Sequence, residues 1–253
     1  MIKIDRRIRT LFVISITSVV ILLCLITSCR VIEQAGSYIR YSVFKQADTE
    51  NFDDAFKLEG EEIMLPEPEI EEGIPLGSAM AKRRSVRSFS DKELEMEKIS
   101  QILWAAQGIT QQSTGYRTAP SAGALYPLEL FLIKSDGVFH YRPRGHKLVK
   151  MISEDVRIQV AEGSVFQDFI ATAPVSIVMA GVLERTTVKY GERGIRYVYI
   201  EAGHSCQNIL LQAVSLELGA VPVGAFDDDY IQSLLGLPTD YQILYVIPVG
   251  YPQ

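Results

Sequence analysis

Between Tyr197 and Leu218 the chain carries its longest helical pattern, and this run limits the folds open to it. Ala202, Cys206, Ile209, Leu210, Ala213 and Leu216 or Glu217 track its faces, and Gly219 closes it. A helix this apolar must be covered by other elements, so it belongs in the middle of a domain. The rest of the body has to supply that cover.

The candidates are read from periodicity. Ile74 to Lys82 predicts a short helix, with Pro75 tolerated in its first turn. Ser90 and Glu93 have the spacing of a capping box, ahead of Ile99, Ile102, Leu103 and Ala106 on one helical stripe that Gly108 can end. Leu128–Lys134 and Val138–Tyr141 read as strands joined by Ser135-Asp136-Gly137. Two helices are expected near Ser153–Glu162 and Val165–Thr172, then a buried strand at Val175–Ala180. Asp227 can cap a helix ending at Gly236, and Ile243–Val249 is the last strand. Helices and strands alternate irregularly, which predicts an α+β domain, a mixed sheet flanked by helices, over residues 73–253.

The N-terminal part reads differently. A basic stretch to Arg9 precedes the apolar run Leu11–Ile26, followed by Thr27-Ser28-Cys29. Sixteen helical residues reach about 24 Å, short of the roughly 30 Å hydrocarbon core. Residues 1–29 are therefore expected to be a signal peptide ending in a lipobox-like Ile26-Thr27-Ser28-Cys29, with an uncleaved membrane anchor as the alternative. Either reading leaves the body membrane-tethered and extracytoplasmic, because Lys and Arg resist translocation. Asp48 to Glu72 holds eleven carboxylates and one lysine, so residues 30–72 are expected to be an acidic tether.

Charge and motif content exclude several functions. The formal charge is −6, and without residues 1–28 it is −9, which argues against a nucleic-acid partner. Three cysteines and three scattered histidines offer no metal-ligand spacing, so no metal site is expected. No Gly-x-Gly-x-x-Gly, Walker or Gly-x-Ser-x-Gly pattern occurs. What remains is Arg83-Arg84-Ser85-Val86-Arg87-Ser88-Phe89, three guanidinium groups within five residues. Guanidinium is a charged planar fork suited to phosphate oxygens, although on a solvated face the cluster also costs little to keep.

The order of segments decides between these readings. Leu65-Pro66-Glu67-Pro68, the arginine stretch, Leu103-Trp104-Ala105-Ala106-Gln107-Gly108-Ile109 and Pro120-Ser121-Ala122-Gly123-Ala124-Leu125-Tyr126-Pro127 resemble the nitroreductase superfamily. With Glu201-Ala202-Gly203-His204 through Gln207-Asn208 and Val221-Pro222-Val223-Gly224, the series is most similar to the SagB-type branch of azoline dehydrogenases. The resemblance implies FMN bound at a homodimer interface. Arg83, Arg84, Ser85 and Arg87 would hold the phosphate, ribityl chain and pyrimidine edge, with Arg87 near flavin N1 and O2. Pro120, Ser121, Ala122 and Gly123 would approach the ring from the other subunit, and Val223 and Gly224 match the segment whose backbone N–H faces flavin N5. Val188-Lys189-Tyr190-Gly191 resembles the catalytic Lys-Tyr pair of the branch, with Lys189 as base and Tyr190 relaying or orienting the proton.

The implied activity is hydride transfer through flavin N5 from a small-molecule or peptide substrate. Two alternatives stand beside it: an NAD(P)H-dependent nitro or quinone reductase, and a catalytically idle flavin-binding module of an envelope complex. No long C-terminal arm of the kind some nitroreductases exchange between subunits is expected beyond Gly250-Tyr251-Pro252-Gln253.

Overall fold

Eight consecutive buried residues, Val175–Val182, form the strand around which the domain is layered. A strand that is apolar on both faces must be covered on both, and the surrounding elements do this. The computed structural model describes residues 60–71 and 73–253. In chain order the strands are β1 (Glu62–Met64), β2 (Ile109–Gln111), β3 (Tyr116–Arg117), β4 (Leu128–Lys134), β5 (Gly137–Arg142), β6 (Lys147–Ile152), β7 (Val175–Val182), β8 (Gly219–Ala220) and β9 (Tyr241–Gly250). The helices are α1 (Leu76–Lys82), α2 (Met96–Gln107), α3 (Arg157–Gly163), α4 (Asp168–Thr172), α5 (Glu184–Tyr190), α6 (Arg193–Ser215) and α7 (Asp228–Leu234).

The main sheet has seven strands in the order β1-β6-β5-β4-β7-β9-β8, and β2 and β3 form a separate ribbon. Neighbouring strands of the sheet pair antiparallel, while the bridge between Ser85 and Ala220 runs parallel. The period of two along each strand sends alternate side chains to opposite layers. Leu128, Leu130 and Leu132 of β4, with Val175, Ile177 and Met179 of β7, face α2 and α6. Phe131 and Ile133, with Val178, Ala180 and Val182, face α3, α4 and α7. The result is the α+β arrangement expected, with one face of the 23-residue α6 buried in the first layer.

Most elements fall where periodicity places them. Asp227 caps α7 through its Oδ1, which accepts from the Tyr230 N–H at 2.9 Å. The capping box at Ser90 does not form: α2 begins at Met96, with Glu95 at the cap position and no side-chain cap bond. The reason is a longer-range contact. Phe89 bridges Pro252 and the Ser90 N–H donates to the Tyr251 carbonyl at 2.9 Å, which holds this stretch extended.

The expected tether boundary also shifts. Within 30–72, Glu62–Met64 pairs with Lys147–Val149 as an edge strand, and Leu65 is buried in the core. The Gln101 side chain exchanges two hydrogen bonds with the Glu69 backbone. Residues from about Glu61 onward thus belong to the folded domain. The proposed address at 1–29 and most of the acidic stretch lie outside the described residues. Among the described residues no helix is long and apolar enough to cross a membrane.

Candidate active site

Beyond α1 the chain runs extended along the β8 end of the sheet. The Val86 N–H donates to the Ala220 carbonyl at 3.2 Å, and Ser85 and Phe89 form bridges on either side. Val86 packs on Gly219, where a methyl group would sit 2.6 Å from the Val86 Cβ. Anchored in this way, Arg84, Ser85 and Arg87 are exposed and Arg83 is half-buried. Arg84 Nη1 donates to the Arg83 and Ala81 carbonyls at 2.7 and 3.0 Å, and Arg87 lies over the Phe169 ring at 5.9 Å. No carboxylate pairs with Arg83, Arg84 or Arg87 among the described residues. Three guanidinium forks without a carboxylate partner are a donor set that fits a phosphate ester and a pyrimidine edge.

Val223 and Gly224 separate in role. Val223 and Val246 exchange both backbone hydrogen bonds, at 2.8 and 3.0 Å, and the Val223 side chain is buried. Its N–H is therefore committed to the sheet. Gly224 is exposed, its N–H has no backbone partner among the described residues, and a Cβ there would meet nothing within 4 Å. It opens onto a cleft lined by Tyr199, Ala202, Phe226, Gln242 and Leu244.

A second group forms at the Pro120–Gly123 turn. Gly123 has φ +66°, and Ala124 and Tyr126 also have positive φ, at 54° and 46°. Left-handed backbone at a non-glycine residue costs energy and is held by its surroundings. Here the Tyr126 N–H donates to Ser121 Oγ at 2.9 Å, and the Tyr126 hydroxyl accepts from the Arg117 N–H at 3.2 Å. A Cβ on Gly123 would lie 2.9 Å from both Lys189 Nζ and the Tyr190 hydroxyl. The turn and the Lys189-Tyr190 pair, remote in sequence, thus meet within one chain.

Lys189 and Tyr190 reach this place because α5 folds tightly back onto α6. Gly194 allows it, since a Cβ there would stand 2.8 Å from the backbone of Thr186 and Thr187. Tyr190 then packs edge-on against Tyr197 of α6, with ring centroids 5.1 Å apart. Lys189 Nζ lies 5.3 Å from the Tyr190 ring centre.

Behind the turn is a buried charged layer. Glu129 on β4 accepts from Arg185 Nη1 at 2.5 Å and is hydrogen-bonded to His140 at 2.7 Å. Burial alone would raise the Glu129 carboxyl, but Arg185 and His140 outweigh it and hold the group well below the usual carboxylate range. Arg185 Nη1 also donates to the Tyr126 carbonyl at 3.2 Å, tying this layer to the turn.

Glu201 of α6 is the functional candidate that reading the sequence missed. It is 2% exposed, and its buried Oε1 has no hydrogen-bond partner among the described residues. Burial pushes its pKa up to about 7, against the pull of Ser121, Arg117 and Arg185. The signal was present as the glutamate in Glu201-Ala202-Gly203-His204, but that position reads equally as a solvated helix face.

Among the described residues no hydrogen bond or ion pair joins Arg83–Arg87 to the Pro120–Gly123 turn. Nor do they contain a group of three or more His, Cys, Asp or Glu side chains able to hold a metal ion. His146 instead bonds Ser100 and Tyr141, at 2.6 and 2.9 Å.

Comparison with known proteins agrees with this architecture. The sequence model described as "Nitroreductase family" matches residues 80–251. The chain is 43% identical over 197 residues to the "Putative nitroreductase MJ1384" of Methanocaldococcus jannaschii, covering 76% of this chain and 98% of that protein. It is 25% identical over 164 residues to the microcin B17-processing protein McbC of Escherichia coli, covering 59% of this chain and 60% of that one. The crystal structure of a "putative nitroreductase" from Ralstonia eutropha JMP134 superposes with a TM-score of 0.71 at 27% identity. That match covers 76% of this chain and 90% of the other. With sequence model, relatives and architecture in agreement, the chain belongs to the nitroreductase family of oxidoreductases.

Proposed function

We propose that this chain is an FMN-dependent dehydrogenase of the SagB type, taking hydride from a small-molecule or peptide substrate. The observation that carries this reading is the meeting of Gly123 with Lys189 Nζ and the Tyr190 hydroxyl. A dehydrogenation of this kind removes a Cα proton as the hydride leaves, so a base and a proton carrier must sit beside the acceptor.

Bound FMN supplies the hydride acceptor, its N5 atom. Arg83, Arg84 and Ser85 would hold its phosphate and ribityl chain, and Arg87 would face its pyrimidine edge. The Gly224 N–H, which no backbone carbonyl engages among the described residues, would be the donor offered to N5; Val223 serves by pairing with Val246 and so fixing that loop. Lys189 accepts the substrate proton, and Tyr190 orients it. Because no hydrogen bond or ion pair joins the two residue sets among the described residues, the complete site draws Pro120–Gly123 from a second copy in a homodimer. The reading also keeps residues 1–29 as a membrane tether, which leaves the folded domain extracytoplasmic.

The absorbance spectrum of the purified chain tests the cofactor. A flavin spectrum is expected, as purified or after FMN is added; a colourless protein that refuses added FMN ends this reading. A second reading, an NAD(P)H-dependent nitro or quinone reductase, is favoured by the designation of the 43% identical relative. NADPH bleaching the flavin with such acceptors, and no oxidation of a thiazoline peptide, would select it.

A further inference from the structure

The arginine stretch lies along the end of the sheet, and two different neighbours hold it. β8 is two residues long, so it pairs with the start of the stretch alone. Ser85 bridges Ala220 in parallel, and the Val86 N–H donates to the Ala220 carbonyl. Past that point the partner is the segment that follows β9. Phe89 bridges Pro252 antiparallel, and the Ser90 N–H donates to the Tyr251 carbonyl at 2.9 Å. The Gln253 N–H donates to the Ser88 carbonyl at 3.1 Å, and the Ser88 hydroxyl returns a bond to Gln253 Oε1 at 3.0 Å. The backbone groups so engaged belong to residues 86, 88 and 90, as the period of two requires. Arg87 sits between the two anchors. Its guanidinium, 5.9 Å from the Phe169 ring centre, takes its place from this backbone rather than from an ion pair among the described residues.

Residues 251–253 are in turn held through the Tyr251 side chain. Its hydroxyl donates to Glu95 Oε2 at 2.7 Å and accepts from Lys98 Nζ at 2.8 Å. Lys98 Nζ also donates to the Leu216 carbonyl at 3.2 Å, where α6 ends. Lys92 Nζ and Lys98 Nζ lie 4.0 and 4.6 Å from the Tyr251 ring centre, close enough for the ring to attract both cations. One side chain thus ties the start of α2 and the end of α6 to the segment against which Arg87's strand is laid.

We propose that Tyr251 and Gln253 are positioning residues, which hold residues 88–90 in register and so preorganise Arg87 for the pyrimidine edge of the flavin. With this second anchor loosened, Arg87 would be held from the Val86 side only, and binding would have to order it. Ordering a long side chain on binding lowers affinity by roughly 3- to 10-fold. The ligand rests on the flavin reading of the arginine stretch; the fastening does not.

Two measurements on the whole chain decide it: FMN titration by flavin fluorescence, and amide hydrogen exchange at Ser90 and Gln253. Tyr251→Phe keeps the ring and removes both hydroxyl bonds. It should speed exchange at both amides, leave Val86 as protected as before, and weaken FMN binding roughly 3- to 10-fold. Gln253→Ala, which removes the Ser88 side-chain bond, should act in the same direction. In an Arg87→Ala background Tyr251→Phe should add nothing, because the group it positions is gone. An equal loss of affinity in both backgrounds overturns the proposal, since Tyr251 would then act on the fold at large. Unchanged exchange at Ser90 and Gln253, or wild-type FMN affinity in both Tyr251→Phe and Gln253→Ala, overturns it too. Should the wild type bind no FMN while Tyr251→Phe speeds exchange as expected, the fastening stands and the flavin reading alone falls.

Discussion

At Gly123 a hydrogen in place of a methyl group decides whether the turn can lie against Lys189 and Tyr190. Gly123→Ala would add left-handed strain of about 1–2 kcal/mol. Its Cβ would also stand 2.9 Å from two flexible side-chain ends, which can withdraw. Stability should therefore fall only by about that strain, while displacement of the pair lowers turnover on the order of 10- to 100-fold. Urea midpoints set beside kcat separate the two effects, and equal losses in both would remove the site assignment. Arg185 poses the opposite case. Replacing it with leucine leaves Glu129 buried at 9% exposure with His140 as its remaining close partner. Removing one member of a buried pair costs roughly 3–5 kcal/mol. The loss should be greatest above neutral pH and shrink in acid, where Glu129 can be protonated, and urea unfolding at pH 5 and 8 measures it.

Elements show why some of this was readable and some was not. The stripe of α6, the β4–β5 hairpin and the Asp227 cap are local patterns, and each appears where its residues place it. The start of α2 was misjudged because Ser90 is held by Tyr251, a partner no window of sequence contains. β1 and β6 were missed because β1 lies in an acidic, proline-flanked stretch that becomes a strand only by pairing with β6. Glu201 was quoted but not chosen, since burial depends on what covers its face of α6. The arginine strand was the reverse: visible at once, yet meaningful only when its side chains proved to lack carboxylate partners among the described residues. A prediction follows from its exposure. Arg83→Ala or Arg87→Ala should each weaken FMN binding roughly 10- to 150-fold, from about 1.5–3 kcal/mol per charge-assisted bond. Folding stability should change by less than about 0.5 kcal/mol. Titration by flavin fluorescence checks the first figure and thermal unfolding the second; unchanged affinity in both variants would move the phosphate site elsewhere.

Over the whole molecule, two buried carboxylates tilt stability in opposite directions with pH. The Glu129 carboxyl is depressed, so its contribution is present above its unfolded value of 4.5 and is lost as pH falls toward the folded one. The Glu201 carboxyl is raised from 4.5 to about 7, so its contribution is complete below 4.5 and is lost as pH rises through 7. A shift of that size corresponds to about 3 kcal/mol between pH 4.5 and 8. Glu201 sits in α6, which one whole face of the sheet packs against, so global unfolding must release it. The unfolding free energy should accordingly fall by up to about 3 kcal/mol from pH 5 to 8 in the wild type. In Glu201→Gln, where nothing titrates at that position, this upper limb should flatten while the acid limb set by Glu129 remains. Urea unfolding at pH 4, 5.5, 7 and 8 would resolve both limbs, and parallel curves for the two proteins above pH 5 would show that Glu201 is ionised throughout and contributes no such dependence.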